Sequence, residues 1–212
     1  MVSVKKRKKQ NIPRLATVYV VRVAFMAAML TAFKFALSAI PNVEVVTLMI
    51  IVYGSAMGIA YALPATLIFC AVEIAIYGVG SWVLLYFIYF PLLAVVASVL
   101  LKGRRLWLAV VIGIVGSVLF GVLSACCDTL FCISSLAPKH MGQYWVAYYL
   151  RGLYFDITHV ISSVITISVL YAPLVAVVRR CAPYAYGANA CGMRKYQYAE
   201  YRRIENDDED NL

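Results

Sequence analysis

The sequence predicts an all-α membrane protein: a compact bundle of six transmembrane helices with both termini in the cytoplasm. Hydrophobic residues make up 64% of the 212 residues, and charged residues only 14%. Soluble domains are about half apolar and about a quarter charged, so this composition excludes an ordinary soluble domain. Backbone groups in lipid need hydrogen-bond partners within their own segment, which makes helices the expected spanning structure.

Six apolar segments can be placed along the chain. A bilayer core about 30 Å thick requires roughly 20 apolar residues per helical span. The segments lie at about 17–39, 43–58, 60–78, 82–101, 106–131 and 153–178. The second is short, and "YGSAMG" at its end allows either a turn or a kink. We therefore predict a basic N-terminal segment 1–16, a six-helix transmembrane domain 17–180 and a flexible, solvated C-terminal tail 181–212.

The distribution of positive charge predicts the orientation of the bundle. Lysines and arginines are concentrated in residues 5–14, 102–105 and 179–203, whereas the alternate connections near 40–43, 79–82 and 132–143 carry only Lys139. Loops rich in Lys and Arg stay in the cytoplasm, so both termini are expected there. The same basic segments suit anionic lipid headgroups, and we expect no nucleic-acid partner.

Ionisable residues inside the predicted spans are concentrated in their outer halves. This orientation places Lys34, Glu73, Asp128, Asp156 and His159 near the outer surface. Charges within a membrane normally face the bundle interior or a watery cavity and mark a functional pathway. The pattern predicts a polar cavity that opens to the outside.

Helical phase groups these residues into stripes. At about 100° per residue, Asp156, His159 and Ser163 share one face of the sixth span, and Glu73 and Tyr77 share one face of the third. Simpler roles stay open for single members. Lys34 can reach the headgroups or pair with Glu73 to hold the bundle. Asp128 can be a solvated helix end, and His159 can be a packing residue.

Aromatic residues are frequent in the same region. Tyr77, Trp82 and Tyr86 are expected to line the cavity, and "QYWVAYYLRGLYF", residues 143–155, is expected to form a long loop between spans five and six. Loops of that length often act as lids. Arg151 is assigned to this loop. Aromatic rings beside carboxylates suit a flat heteroaromatic or cationic ligand.

The first span also carries a stripe of small residues. Ala24, Ala28, Ala32 and Ala36 recur at every fourth position, roughly opposite Lys34. Such stripes allow close helix–helix contact in lipid, within the bundle or with a partner. Gly113, Ser117 and Gly121 form a similar stripe on the fifth span, for which the same two roles stay open.

Three stretches carry a resemblance to a known family. "PNVEVVTLMIIVYG" (41–54), "VEIAIYGVGSWVLLYFIYFP" (72–91) and "RGLYFDITHVISS" (151–163) resemble the substrate-binding S component of energy-coupling factor (ECF) vitamin transporters. The resemblance covers roughly residues 20–178. It implies a multi-pass protein of the bacterial cell membrane that binds a vitamin-like small molecule and has no enzymatic activity or cofactor of its own.

The resemblance also implies partners. A transmembrane coupling (T) subunit would contact Ala24, Ala28, Ala32 and Ala36, and two cytoplasmic ATPase subunits would use the ATP. Outer loops and helix ends would form the pocket, in agreement with the depth of the charges. We expect the following residues to contact the ligand: Lys34, Asn42, Glu44, Glu73, Tyr77, Trp82, Tyr86, Arg151, Asp156, His159 and Ser163.

Two other functions stay open at the level of sequence. An autonomous secondary permease would use Asp156 and Glu73 as proton carriers, although no inverted repeat is evident. A membrane thiol oxidoreductase would use Cys126, Cys127 and Cys132, which lie near the predicted outer face.

Overall fold

The described part of the chain is entirely helical. The computed structural model describes residues 4–37, 45–101, 105–132 and 140–181, with side chains from residue 17 onward. These residues form six helices and no strand: α1 Val4–Leu37, α2 Val46–Met57, α3 Ile59–Tyr77, α4 Ser81–Leu100, α5 Leu106–Phe131 and α6 Met141–Cys181. Five of them are long and apolar enough to cross a membrane. The predicted all-α class is confirmed, and the five helices indicate a multi-pass membrane protein.

The helices alternate in direction, so their ends collect at two sides of the bundle. At one side α1, α3 and α5 end while α2, α4 and α6 begin. We call this side the Glu73 end. At the opposite side, called the basic end, α6 finishes with Arg179 and Arg180. All the ionisable residues that the sequence singled out within the described spans lie toward the Glu73 end.

Helix α2 is the short central element of the bundle. It has 12 residues, and every one of them is buried. At 1.5 Å per residue it is about 18 Å long, compared with about 30 Å for the apolar core of a bilayer. The predicted segment 43–58 is thus a helix, but one too short to cross the bilayer by itself. An apolar sequence on all faces suits this position, because neighbouring helices surround it.

Close contacts hold α2 against α4 and α6. A Cβ atom at Gly54 would lie 2.8 Å from the Ala97 Cβ, so glycine is required for this approach of α2 to α4. At the basic end, Arg179 Nη2 of α6 donates a hydrogen bond to the Ser55 carbonyl oxygen over 3.0 Å. This contact satisfies one of the last carbonyls of α2.

A break at Gly58 separates α2 from α3. Gly58 has φ +79°, a conformation that L side chains rarely adopt, and its N–H donates to the Gly54 carbonyl over 3.1 Å. Glycine adopts positive φ at little cost. The "YGSAMG" segment therefore ends one helix and starts the next. Gly78, also at φ +79°, plays the same part between α3 and α4.

Two helices begin earlier than the sequence predicts. Helix α1 begins at Val4, within the segment predicted to precede the first span. Helix α6 begins at Met141 rather than near residue 153 and has 41 residues. The prediction of a long loop over residues 143–155 is therefore wrong, and so is the assignment of Arg151 to it. The C-terminal tail beyond residue 181 lies outside the described residues.

The early start of α6 has a tertiary cause. Its first turns pack on the end of α5, where the Trp145 indole N–H donates to Cys126 Sγ over 3.3 Å. The hydroxyls of Tyr148 and Ser124 lie 3.4 Å apart. Aromatic side chains have only moderate helix propensity, but contacts of this kind outweigh such small local differences.

Candidate functional site

An ion pair between α1 and α3 forms the centre of the Glu73 end. Lys34 Nζ pairs with Glu73 Oε2 and also donates a hydrogen bond to the Tyr86 hydroxyl of α4 over 3.2 Å. The Glu73 side chain is completely buried, and that of Lys34 is 25% exposed. Of the roles considered for Lys34, pairing with Glu73 is the one that the structure contains. The ion pair and the hydrogen bond to Tyr86 together connect α1, α3 and α4.

Aromatic rings surround the Lys34 ammonium group. Its Nζ lies 4.7 Å from the Tyr86 ring centroid, 5.0 Å from that of Tyr77 and 5.9 Å from that of Phe69. Trp82 packs edge-on against Tyr86, with the centroids 5.2 Å apart. Ring faces attract cations, most strongly where water is excluded. Five predicted site residues thus form one group, the Lys34 cluster: Lys34, Glu73, Tyr77, Trp82 and Tyr86.

The Glu73 carboxylate retains an unused acceptor. Its Oε1 atom is buried and has no hydrogen-bond partner among the described residues. Neighbouring polar groups of α3 are engaged elsewhere: Thr66 donates to the Ala62 carbonyl over 2.7 Å, and the Cys70 thiol donates to the Tyr86 carbonyl over 3.5 Å. A buried polar atom without a partner is costly and in native proteins calls for an explanation such as a ligand.

A second group of predicted residues lies between α5 and α6. The hydroxyls of Ser163 and Ser117 lie 3.0 Å apart in a buried hydrogen bond. The His159 ring is buried and packs edge-on against Phe120, with the centroids 5.5 Å apart. Asp156 abuts Gly121. The predicted stripe of Asp156, His159 and Ser163 therefore faces α5, and we call these three residues the α6 stripe.

Gly121 provides the space that the Asp156 carboxylate occupies. A Cβ atom at Gly121 would lie 1.9 Å from Asp156 Oδ2, a distance that no real structure tolerates. Asp156 is half-buried. The small residues of α5 thus serve packing within the bundle, which is the simpler of the two roles considered for them.

Phe120 links the two groups. Its ring centroid lies 6.5 Å from that of Tyr86 and 5.5 Å from that of His159. A continuous series of rings therefore runs from the Lys34 cluster to the α6 stripe. Nothing in the sequence distinguishes Phe120 from other apolar residues of α5, so this connection was missed.

Asp128 closes the Glu73 end by joining three helices. Its Oδ1 accepts a hydrogen bond from the Ser81 hydroxyl over 2.7 Å, and its Oδ2 accepts one from the Tyr144 hydroxyl over 2.5 Å. The sequence left open a solvated helix end for this carboxylate. In the structure it connects the start of α4, the end of α5 and the start of α6, and both of its oxygens are used.

Other predicted site residues lie apart from these groups. Arg151 is exposed on α6, and Asn42 and Glu44 lie outside the described residues. The described cysteines are free thiols, including Cys126, Cys127 and Cys132.

The residues of the predicted partner-contact stripe on α1 are all exposed: Ala24, Ala28, Ala32 and Ala36. Ala27 and Leu30 are buried on the opposite side of α1.

Comparisons with models of known families, with characterised proteins and with solved structures find no match for this chain.

Proposed function

We propose that this chain is the substrate-binding S component of an ECF-type importer, which captures a vitamin-like small molecule at the outer face of a bacterial cell membrane. The observation that carries the proposal is the completely buried Glu73, whose Oε1 lacks a hydrogen-bond partner among the described residues. It lies beside Lys34 and several aromatic rings at one end of an otherwise apolar bundle. Ionisable groups at such a depth normally serve transport or ligand binding.

The chemistry of the Glu73 end suits recognition. Glu73 Oε1 can accept a hydrogen bond from a ligand, and the rings of Trp82 and Tyr86 offer flat apolar surfaces. Small-molecule sites combine such apolar walls with a few well-placed polar groups. The basic end supports an outward-facing site, because the positive-inside rule places Arg179 and Arg180 in the cytoplasm.

The exposed alanine stripe supports a partner on α1. In this proposal the T subunit contacts Ala24, Ala28, Ala32 and Ala36, and two cytoplasmic ATPase subunits supply the energy. A smooth row of small residues favours close helix packing where lipid offers no hydrophobic driving force. The chain itself would bind its substrate without transforming it.

Copurification tests the assembly. The tagged full chain is expressed in its own cells, and the proteins that copurify with it in mild detergent are identified. We expect a T subunit and two ATPases, and we expect Ala28→Trp to reduce their recovery at least about five-fold, which corresponds to about 1 kcal/mol. The matched control is Ala172→Trp, an exposed alanine on α6. Equal recovery with both variants, or an absence of ATPases, contradicts the proposal.

An autonomous permease is the second candidate, because Glu73 and Asp156 are two carboxylates on different helices of one bundle. Uptake by the chain alone in ATPase-free liposomes, driven by a pH gradient, would favour it. Uptake that requires the partner subunits and ATP would favour the importer.

A further inference from the structure

Two carboxylates at the Glu73 end have unused hydrogen-bonding capacity. Glu73 Oε1 is buried and has no partner among the described residues. Asp156 faces Gly121 and accepts no hydrogen bond from the part of the chain that the structure describes. Asp128, by contrast, is satisfied on both oxygens by Ser81 and Tyr144. Two of the three carboxylates described at this end thus remain available to a ligand.

The cations among the described residues of this region are engaged or lie on another face of α6. Lys34 pairs with Glu73 and donates to Tyr86, so its charge is balanced within the protein. Arg151 is exposed on α6 and lies about 140° around the helix from Asp156, at about 100° per residue. His159 interacts electrostatically with Asp156 and is buried against the Phe120 ring.

The aromatic rings between Glu73 and Asp156 suit a positively charged ligand. Phe120 lies between Tyr86 of the Lys34 cluster and His159 of the α6 stripe, with its ring centroid 6.5 Å from that of Tyr86 and 5.5 Å from that of His159. Aromatic faces stabilise ammonium and amidinium groups, by more where the cation leaves water. They also accept flat heterocycles by stacking.

We infer that the ligand is a small nitrogen compound that carries a positive charge and N–H donors, which it directs toward Glu73 Oε1 and the Asp156 carboxylate. This inference rests on the proposed binding function and adds the chemical class of the substrate. The notch at Gly121 keeps the Asp156 carboxylate between α5 and α6, where a bound cation would neutralise it. Buried charges are tolerated when they are paired in this way.

The α2 N-terminus is the feature that would favour the opposite class. Helix α2 begins at Val46, and Val45 provides no side-chain cap. Helix N-termini carry partial positive charge and bind anions. A carboxylate ligand would therefore contact the first turn of α2, where the Thr47 hydroxyl is also buried without a partner among the described residues. The two classes are separated by the following experiment.

Three sets of size-matched probes distinguish the charge classes. The purified full chain is titrated with aminomethyl, carboxamide and carboxylate derivatives of pyridine, pyrimidine and indole, and thermal unfolding is followed in detergent. We expect the aminomethyl cations to stabilise the protein most and the carboxylates least. Glu73→Gln and Asp156→Asn should each weaken binding of the best cation by about ten-fold or more, since charged hydrogen bonds are lost.

Asp128→Asn is the matched control. It removes a carboxylate at the same end that is already satisfied, so it should lower the unfolding temperature without changing the order of the three classes. Strongest stabilisation by the carboxylates overturns the cationic class while leaving a binding protein in place. Unchanged cation binding by both Glu73→Gln and Asp156→Asn would also overturn the cationic class while leaving a binding protein in place. If no probe of any class stabilises the chain, the proposed binding function is overturned too.

Discussion

Glu73 pairs with Lys34 through only one of its two carboxylate oxygens. Oε2 contacts the Lys34 ammonium group, while Oε1 is buried without a hydrogen bond from any described residue. The ion pair explains how a carboxylate can be placed inside an apolar bundle. The unused oxygen explains why this carboxylate is suited to a second task, because half of its acceptor capacity remains available for a ligand.

Lys34→Met should destabilise the bundle. It leaves the buried Glu73 without its counter-charge, and we expect a loss of about 2–3 kcal/mol because Lys34 itself is partly exposed. Unfolding in mixed micelles with increasing denaturing detergent measures the change. The double variant Lys34→Met/Glu73→Gln should regain a large part of the lost stability. A single variant as stable as the parent would show that the pair contributes nothing.

Gly121→Ala tests the notch beside Asp156. The new Cβ would lie 1.9 Å from Asp156 Oδ2, so the carboxylate must move, at a cost of about 1–3 kcal/mol. Thermal unfolding measures the effect, and Asp156→Ala added to Gly121→Ala should relieve the clash. The control is Gly142→Ala, where a Cβ meets no atom within 4 Å. Equal stability of the two glycine variants would contradict the described packing.

Tyr144→Phe should loosen the start of α6. It removes the hydrogen bond to Asp128 that holds the first turns of α6 on α5. Loss of a hydrogen bond to a charged group costs about 1.5–3 kcal/mol. Hydrogen–deuterium exchange should rise in residues 141–150 and stay unchanged in α3. Tyr148→Phe is the control, because the Tyr148 hydroxyl contact with Ser124 is longer, at 3.4 Å.

Gly58→Ala should weaken the junction of α2 and α3 although the site is open. No atom lies within 4 Å of the new Cβ, so the effect comes from the backbone alone, through φ +79°. With ψ at 177° the residue lies in a region that is essentially restricted to glycine, and placing an L residue there costs about 1–3 kcal/mol. The unfolding temperature should fall, and Gly58→Asn should lower it as well, because the tolerance of Asn for positive φ is mostly confined to the left-handed helical region. Equal stability of parent and Gly58→Ala would show that the junction adopts another conformation.

Much of the local structure follows from the sequence. Apolar segments of sufficient length predict helices α3, α4 and α5 close to their observed ends. The helical period places Asp156, His159 and Ser163 on one face, and the structure directs that face toward α5. It also places the alanines of α1 on one side, which is exposed. These features depend on neighbouring residues along a single helix.

The partners of these faces were decided by the tertiary structure. Lys34 and Glu73 are 39 positions apart, and Ser117 and Ser163 are 46 apart, so no local periodicity specifies their contacts. The start of α6 depends on contacts with α5: Tyr144 donates a hydrogen bond to Asp128, and Trp145 donates one to Cys126. These contacts stabilise helix where the sequence predicted a loop. Residue spacing within one helix determines which side chains share a face, but only the packing of helices determines what that face contacts.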